Sequence, residues 1–205
     1  MYNKDSFVTY NDFLKVKPLK TGKQNLKFSY KSSLINGDIL EFGVYKGTSI
    51  NLLASLHPTT VYGFDSFEGL PEEWNSVNGT LMKSGHFALD KLPSVKENVK
   101  LIKGWFNETL PVFLKENKLG NIRLLHIDCD LFSSAFTVLD LLNSKIVKGT
   151  VIVFDELANW RDENLFKNYQ QEEWLALKNW TEKYDRGFSI LSRSPSCQAT
   201  ILIEK

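Results

Sequence analysis

Five short apolar runs constrain this chain more than anything else in it: residues 38–42 (DILEF), 60–64 (TVYGF), 99–103 (VKLIK), 122–127 (IRLLHI) and 150–154 (TVIVF). Runs rich in β-branched and aromatic residues are how strands read when both faces of a sheet are covered. Between them lie apolar residues at helical spacing, in residues 48–56, 108–117, 134–142 and 172–184. Strand alternating with helix predicts an open parallel α/β sheet with right-handed crossovers. The C-terminal end departs from that rhythm. Residues 188–192 (FSILS) and 198–203 (QATILI) leave no room for a helix, and 193–197, with Pro195, has hairpin length. The expected sheet therefore ends in an antiparallel pair.

Before the first run, residues 1–36 are polar with scattered aromatics (Tyr2, Phe7, Tyr10, Phe13, Phe28, Tyr30), a pattern that fits a peripheral helix or arm; Asn36-Gly37 then signals a turn. A length of 205 residues predicts one domain with at most a small appendage, large enough to fold without disulfide or metal staples. With 25 Lys+Arg against 24 Asp+Glu, a net charge of +1 removes the main electrostatic case for nucleic acid or an anionic membrane as partner. Lys15, Lys17, Lys20, Lys23 and Lys27 crowd one region and read as a solvated helix face. Two cysteines, Cys129 and Cys197, do not make a secreted disulfide framework. No apolar segment follows Met1 as in a signal peptide, and no apolar run approaches the ~20 residues of a membrane helix. A cytoplasmic setting is expected.

Open α/β sheets bind ligands outside the carboxyl ends of their strands, so those ends carry the chemistry. The first reads Glu41-Phe42-Gly43-Val44-Tyr45-Lys46-Gly47-Thr48-Ser49. Gly43 admits a ligand close to the turn, Gly47 allows tight helix packing, and helix-start amides follow. An ordinary strand-to-helix turn also favours glycine. The spacing is not the G-x-G-x-x-G of dehydrogenases, and an acid ahead of Gly43 suits a cationic ligand such as S-adenosylmethionine (SAM) better than a pyrophosphate. Asp65, closing the second strand ahead of Ser66, fits either ribose hydroxyls or a helix cap. Gly104-Trp105-Phe106 follows the third strand and offers a wall for an adenine ring, with core packing as the competing role. The fourth strand ends in Asp128-Cys129-Asp130 and the fifth in Asp155-Glu156. Four carboxylates at one sheet edge repel unless a positive charge sits among them, and a hard divalent cation such as Mg²⁺ supplies it. Capping of the following helices is the alternative, with most weight at Asp130 and Glu156. His126 reads as a strand residue facing a helix and Cys129 as a packed small hydrophobe.

Taken together, LEFGVYKGTS (40–49), VYGFDSFEGLPEEW (61–74), LIKGWFNETLP (101–111), LLHIDCDLFSS (124–134) and VIVFDEL (151–157) resemble the macrocin O-methyltransferase (TylF-like) family, SAM- and metal-dependent enzymes that methylate sugar hydroxyls. The resemblance implies a Rossmann-like class I methyltransferase: a mostly parallel seven-stranded sheet with a C-terminal antiparallel hairpin, over residues 37–205, preceded by an N-terminal helical arm or lid at 1–36. It implies that Glu41, Gly43, Tyr45, Gly47, Thr48 and Ser49 line the methionine end of SAM. Asp65 and Ser66 would hold the ribose, and Gly104, Trp105 and Phe106 the adenine, with Asp128 also touching the cofactor. Asp128, Asp155 and Glu156 match the metal-ligand positions, and Asp130 the general base. Family members often carry two aspartates where this chain has Asp155-Glu156, and its N-terminal region is shorter. The implied acceptor is a small molecule, a sugar or another carrier of neighbouring oxygens, and a homodimer is open. A catechol-type O-methyltransferase and a non-catalytic SAM- or nucleotide-binding module remain alternatives. Residues 70–87 and 158–171 lack a clear period and are lid candidates. Trp74, Trp160, Trp174 and Trp180 fit core, pocket or dimer contact; the i, i+6 spacing of Trp174 and Trp180 predicts that one of them is partly exposed.

Overall fold

The computed structural model describes residues 7–205; Tyr2 and the start of the expected arm lie outside the described residues. Helices α1 (Tyr10–Leu14) and α2 (Gly22–Ser32) come first, each opened by a threonine whose hydroxyl accepts a first-turn amide, Thr9 from Asp12 and Thr21 from Gln24. Then follow β1 (Asp38–Phe42), α3 (Thr48–Leu56), β2 (Val61–Asp65), a short hairpin of β3 (Trp74–Asn75) and β4 (Leu81–Met82), β5 (Val99–Lys103), α4 (Phe106–Glu116), β6 (Ile122–Ile127), α5 (Phe132–Leu142), β7 (Val151–Phe154), α6 (Glu173–Tyr184), β8 (Phe188–Arg193) and β9 (Ala199–Ile203). Two short 3₁₀ turns, Glu163–Phe166 and Tyr169–Gln171, precede α6.

Seven strands form one sheet in the order β5-β2-β1-β6-β7-β9-β8. β5, β2, β1, β6 and β7 pair in parallel, and β9 alone runs the other way, antiparallel to both β7 and β8. The sheet is thus mostly parallel with a C-terminal antiparallel hairpin. The strand order reverses between β1 and β6, the point where such sheets open a ligand crevice.

Both faces are covered, which is why the strands read as unbroken apolar runs. One face packs Leu26 of α2 and Ile50 and Leu53 of α3 against Ile39, Val61, Leu124 and Val151. The other packs α4, α5 and α6 through Leu110, Phe113, Leu139, Leu177 and Trp180. Phe13 of α1 joins that second core and stacks on Trp160, ring centroids 5.2 Å apart. Trp174 and Trp180 are 5% and 0% exposed, so the expectation that one is partly exposed is corrected. Trp174 is enclosed by Phe7, Phe13 and Tyr169, and Trp180 donates its indole N–H to Asn143, so different sets of neighbours cover the two indoles. Lys15, Lys17, Lys20, Lys23 and Lys27 are exposed as expected, but they do not share one helix face: only Lys23 and Lys27 lie on a helix, α2, and the other three fall in the link between α1 and α2. Among the described residues no helix is long and apolar enough to cross a membrane.

Candidate active site

After β1 the chain turns through Gly43 at φ +89°, a conformation that glycine adopts without penalty. A Cβ at this position would overlap the carbonyl oxygen of Asp128, just beyond β6. Asp65, ending β2, clamps the turn from the side. Its Oδ2 accepts the backbone N–H groups of Val44 and Tyr45, both at 2.8 Å, and its Oδ1 accepts that of Phe67 at 2.6 Å. Tyr45 is thereby held at φ +46°. Gly47, at φ +81°, is the N-cap of α3 and supplies no side-chain partner to the first amides of that helix. Glu41 is 0% exposed; its Oε1 accepts the Ser49 hydroxyl at 2.9 Å and its Oε2 lies 2.8 Å from His126 Nδ1.

A cavity of about 970 Å³ opens over these strand ends, a size that suits a drug-sized ligand. Gly43, Tyr45, Asp65, Ser66, Trp105, Phe106, Asp128, Asp130 and Glu156 line it. Glu41, Gly47, Thr48, Ser49, Gly104 and Asp155 do not reach its lining. The hairpin region expected to be a lid also lines the cavity, with Leu70, Trp74, Val77, Met82 and Phe87; α5 adds Ser133, Ser134 and Thr137. Trp74 is 3% exposed and its indole N–H has no hydrogen-bond partner.

The acids meet where β6 and β7 end side by side. His126, Asp128 and Asp155 each bring one potential ligand atom within 4.8 Å of the others. This close group takes His126 where the sequence reading placed Glu156, whose Oε2 is buried without a partner. Burial, and then the charge of Asp155, hold the Asp128 and Glu156 carboxyls well above the usual carboxylate range. Burial pushes Asp130 up from 3.8 to about 7, with Asp155 and Glu172 adding to it. Asp155 goes the other way: burial works to raise it, but hydrogen bonds from His126 and Gln198 and the His126 charge hold it low. Burial opposes the charged form of His126, yet its bonds to Asp155 and Glu41 raise it well above its ordinary value. Crowded carboxylates, an unpaired buried oxygen and a donor set dominated by oxygen fit a hard divalent cation.

Two contributors were not visible in the sequence reading. Glu173, at the start of α6 and 0% exposed, accepts from the backbone N–H groups of Cys129 and Glu156, both at 3.4 Å, and so ties the two acid-bearing strand ends together. Glu172 beside it accepts the Phe132 amide at 3.0 Å. His126 is a strand residue as expected, but its ring spans Glu41 and Asp155 instead of packing on a helix.

Residues 24–178 match the family described as Macrocin-O-methyltransferase (TylF). The chain is 27% identical over 158 residues to the 8-demethyl-8-(2,3-dimethoxy-alpha-L-rhamnosyl)-tetracenomycin-C 4'-O-methyltransferase of Streptomyces olivaceus, over 65% of this chain and 59% of that protein. It is 24% identical over 143 residues to the demethyldecarbamoylnovobiocin O-methyltransferase of Streptomyces niveus, over 60% of this chain and 53% of the relative. It thus spans less than two thirds of either relative. Among solved structures, a calicheamicin methyltransferase superposes with a TM-score of 0.67 at 24% identity, covering 88% of this chain and 77% of the other. A mycinamycin-pathway methyltransferase solved with Mg and SAH gives 0.54 at 14% identity, covering 91% and 56%.

Proposed function

Because the chain belongs to the macrocin O-methyltransferase (TylF) family, we propose that it is a SAM- and divalent-metal-dependent O-methyltransferase. Its acceptor on this reading is a hydroxyl beside a second oxygen, on a sugar or another small molecule. The observation that carries the reading is the meeting of Asp128, Asp130 and Glu156 in the lining of one cavity, with Asp155 close to Asp128, next to the Gly43–Asp65 turn. The Mg and SAH bound to the mycinamycin-pathway relative agree with it.

In this assignment Gly43, Tyr45, Asp65 and Ser66 hold SAM along the first turn, and Trp105 and Phe106 offer the adenine a flat wall. Asp65 already accepts three amides, and a carboxylate has about four acceptor sites, so capacity remains for a ribose hydroxyl. Bound SAM supplies an electrophilic methyl group. Asp128, Asp155 and Glu156 would hold the metal, which supplies Lewis-acid pull on neighbouring acceptor oxygens. Asp130 does the proton work. A carboxyl that titrates near 7 is matched to removing a hydroxyl proton at neutral pH, and its place in the cavity lining puts it within reach of an acceptor. Holding acceptor and methyl donor across one cleft makes positioning a large part of the acceleration.

The lining also limits the acceptor. Among the described residues the cavity lining holds no lysine or arginine that would draw a phosphate or carboxylate group. An uncharged or amino-bearing polyol fits better, its apolar part against Leu70, Trp74 and Met82 and its hydroxyls toward Ser133, Ser134 and Thr137. The test is transfer of labelled methyl from SAM to a panel of methyl glycosides, amino sugars, nucleoside-diphosphate sugars and catechol, with Mg²⁺ or with chelator. Transfer to uncharged or amino glycosides that stops in chelator is expected. Transfer that survives chelation overturns the metal assignment, and preference for catechol or a nucleotide sugar overturns the acceptor assignment.

A further inference from the structure

Glu41 and His126 are register partners on the adjacent strands β1 and β6, and both are 0% exposed. Glu41 sits two residues before the Gly43 turn, and Ser49 of α3 donates to its Oε1 at 2.9 Å. Its Oε2 faces His126 Nδ1 at 2.8 Å, and His126 Nε2 faces Asp155 Oδ1 at 3.2 Å. Gln198, in the β8–β9 turn, donates to that same Asp155 oxygen. One unbroken polar chain therefore runs from the start of α3 through Glu41 and His126 to the acid cluster.

Two features of this chain decide what the imidazole does. Both ring nitrogens of His126 are already engaged, Nδ1 by Glu41 at 2.8 Å and Nε2 by Asp155 at 3.2 Å, so the ring could ligate a metal only by giving up one of these contacts. Asp155 Oδ1, meanwhile, is held by both His126 and Gln198, which fixes this carboxyl group beside Asp128. Hydrogen-bonded partners of ligating carboxylates fix orientation in this way.

We infer that His126 is a positioning residue rather than a metal ligand, and that Glu41 and His126 together orient Asp155 and link the cofactor-side turn to the metal cluster. This rests on the metal-dependent reading above. Glu41 then has a role other than lining the methionine end of SAM, its carboxylate being engaged by Ser49 and His126.

The experiment is Mn²⁺ titration followed by electron paramagnetic resonance on the full chain with SAH present, for wild type, His126→Gln, Glu41→Gln and the double variant. Melting temperature of each protein confirms that it is folded. Each single variant is expected to weaken Mn²⁺ binding on the order of 10- to 100-fold, the usual cost of losing such support. The double variant should be no weaker than the worse single one, because both changes cut the same chain. Pulsed measurements on wild type should show no imidazole nitrogen coupled to Mn²⁺. Nitrogen coupling would make His126 a ligand and overturn the inference. Unchanged affinity in folded His126→Gln or Glu41→Gln protein overturns it too, even if the metal reading stands. Wild type that binds no Mn²⁺ overturns the metal reading itself, and with it this role. Should His126→Gln not fold, the Glu41→Gln variant, which changes one atom type away from the cluster, carries the same test.

Discussion

Asp130→Asn should make the metal-free protein more stable at alkaline pH while removing its turnover. Asp130 is 8% exposed, sits at φ +65° and titrates at about 7 against an ordinary 3.8. The sign follows from that direction. A carboxyl whose folded value is raised is harder to ionise in the fold than in the unfolded chain, so ionisation destabilises the fold as pH rises above 3.8. The cost grows until pH passes about 7 and is then constant. From those two values it amounts to about 4 kcal/mol near pH 8 and about 2 kcal/mol near pH 5. Asparagine carries no such cost, and it tolerates the left-handed backbone at least as well as aspartate. Urea denaturation of both proteins in chelator, at the two pH values, reads the difference directly. The variant should gain several kcal/mol at the higher pH and distinctly less at the lower, with methyl transfer lost at both. A stability gap that does not change with pH, or a variant less stable than wild type near pH 8, refutes the electrostatic reasoning. Retained transfer refutes the assignment of Asp130 as base.

Gly43→Ala combines a left-handed backbone with overlap on the Asp128 carbonyl oxygen, so it should cost on the order of 2–4 kcal/mol in urea denaturation; unchanged stability contradicts the packing described. Asp128→Ala and Asp155→Ala should each abolish turnover while SAM still binds by calorimetry; activity that persists in either removes it from the metal set. Glu173→Ala takes away the partner of a buried amide, Cys129, and of a part-buried one, Glu156, and should destabilise the fold by roughly 1–3 kcal/mol while weakening Mg²⁺ binding. A stability loss with unaltered metal binding would confine Glu173 to a structural role.

The parallel sheet was legible because both-face burial leaves unbroken apolar runs: residues 38–42, 99–103 and 122–127 are strands to the residue, and 48–56 is a helix to the residue. Where boundaries moved, the cause is non-local. Residue 150 reads as strand, but the Thr150 hydroxyl donates to the Ile122 carbonyl and accepts the Val147 amide, so the chain is still in its turn there. Helices α4 and α5 begin two residues before the expected starts, behind Trp105 and Leu131, neither of which offers a capping side chain. For α5 the missing acceptor comes from Glu172, 40 positions away, which no local pattern reveals. The β3–β4 hairpin has two-residue strands, too short for any period. The acids at the strand ends were visible because topology alone brings strand ends together. The Glu41–His126–Asp155 chain was not, since it depends on β1 lying beside β6 in a given register and on His126 pointing to the face that Glu41 shares.

Calorimetry of SAM binding to the wild-type chain, with Mg²⁺ and with chelator and with NAD as the control ligand, addresses the central claim most directly. The account predicts SAM binding in roughly the micromolar range, about −8 kcal/mol, and none for NAD. Absence of SAM binding under every condition, or binding of NAD in its place, would contradict it.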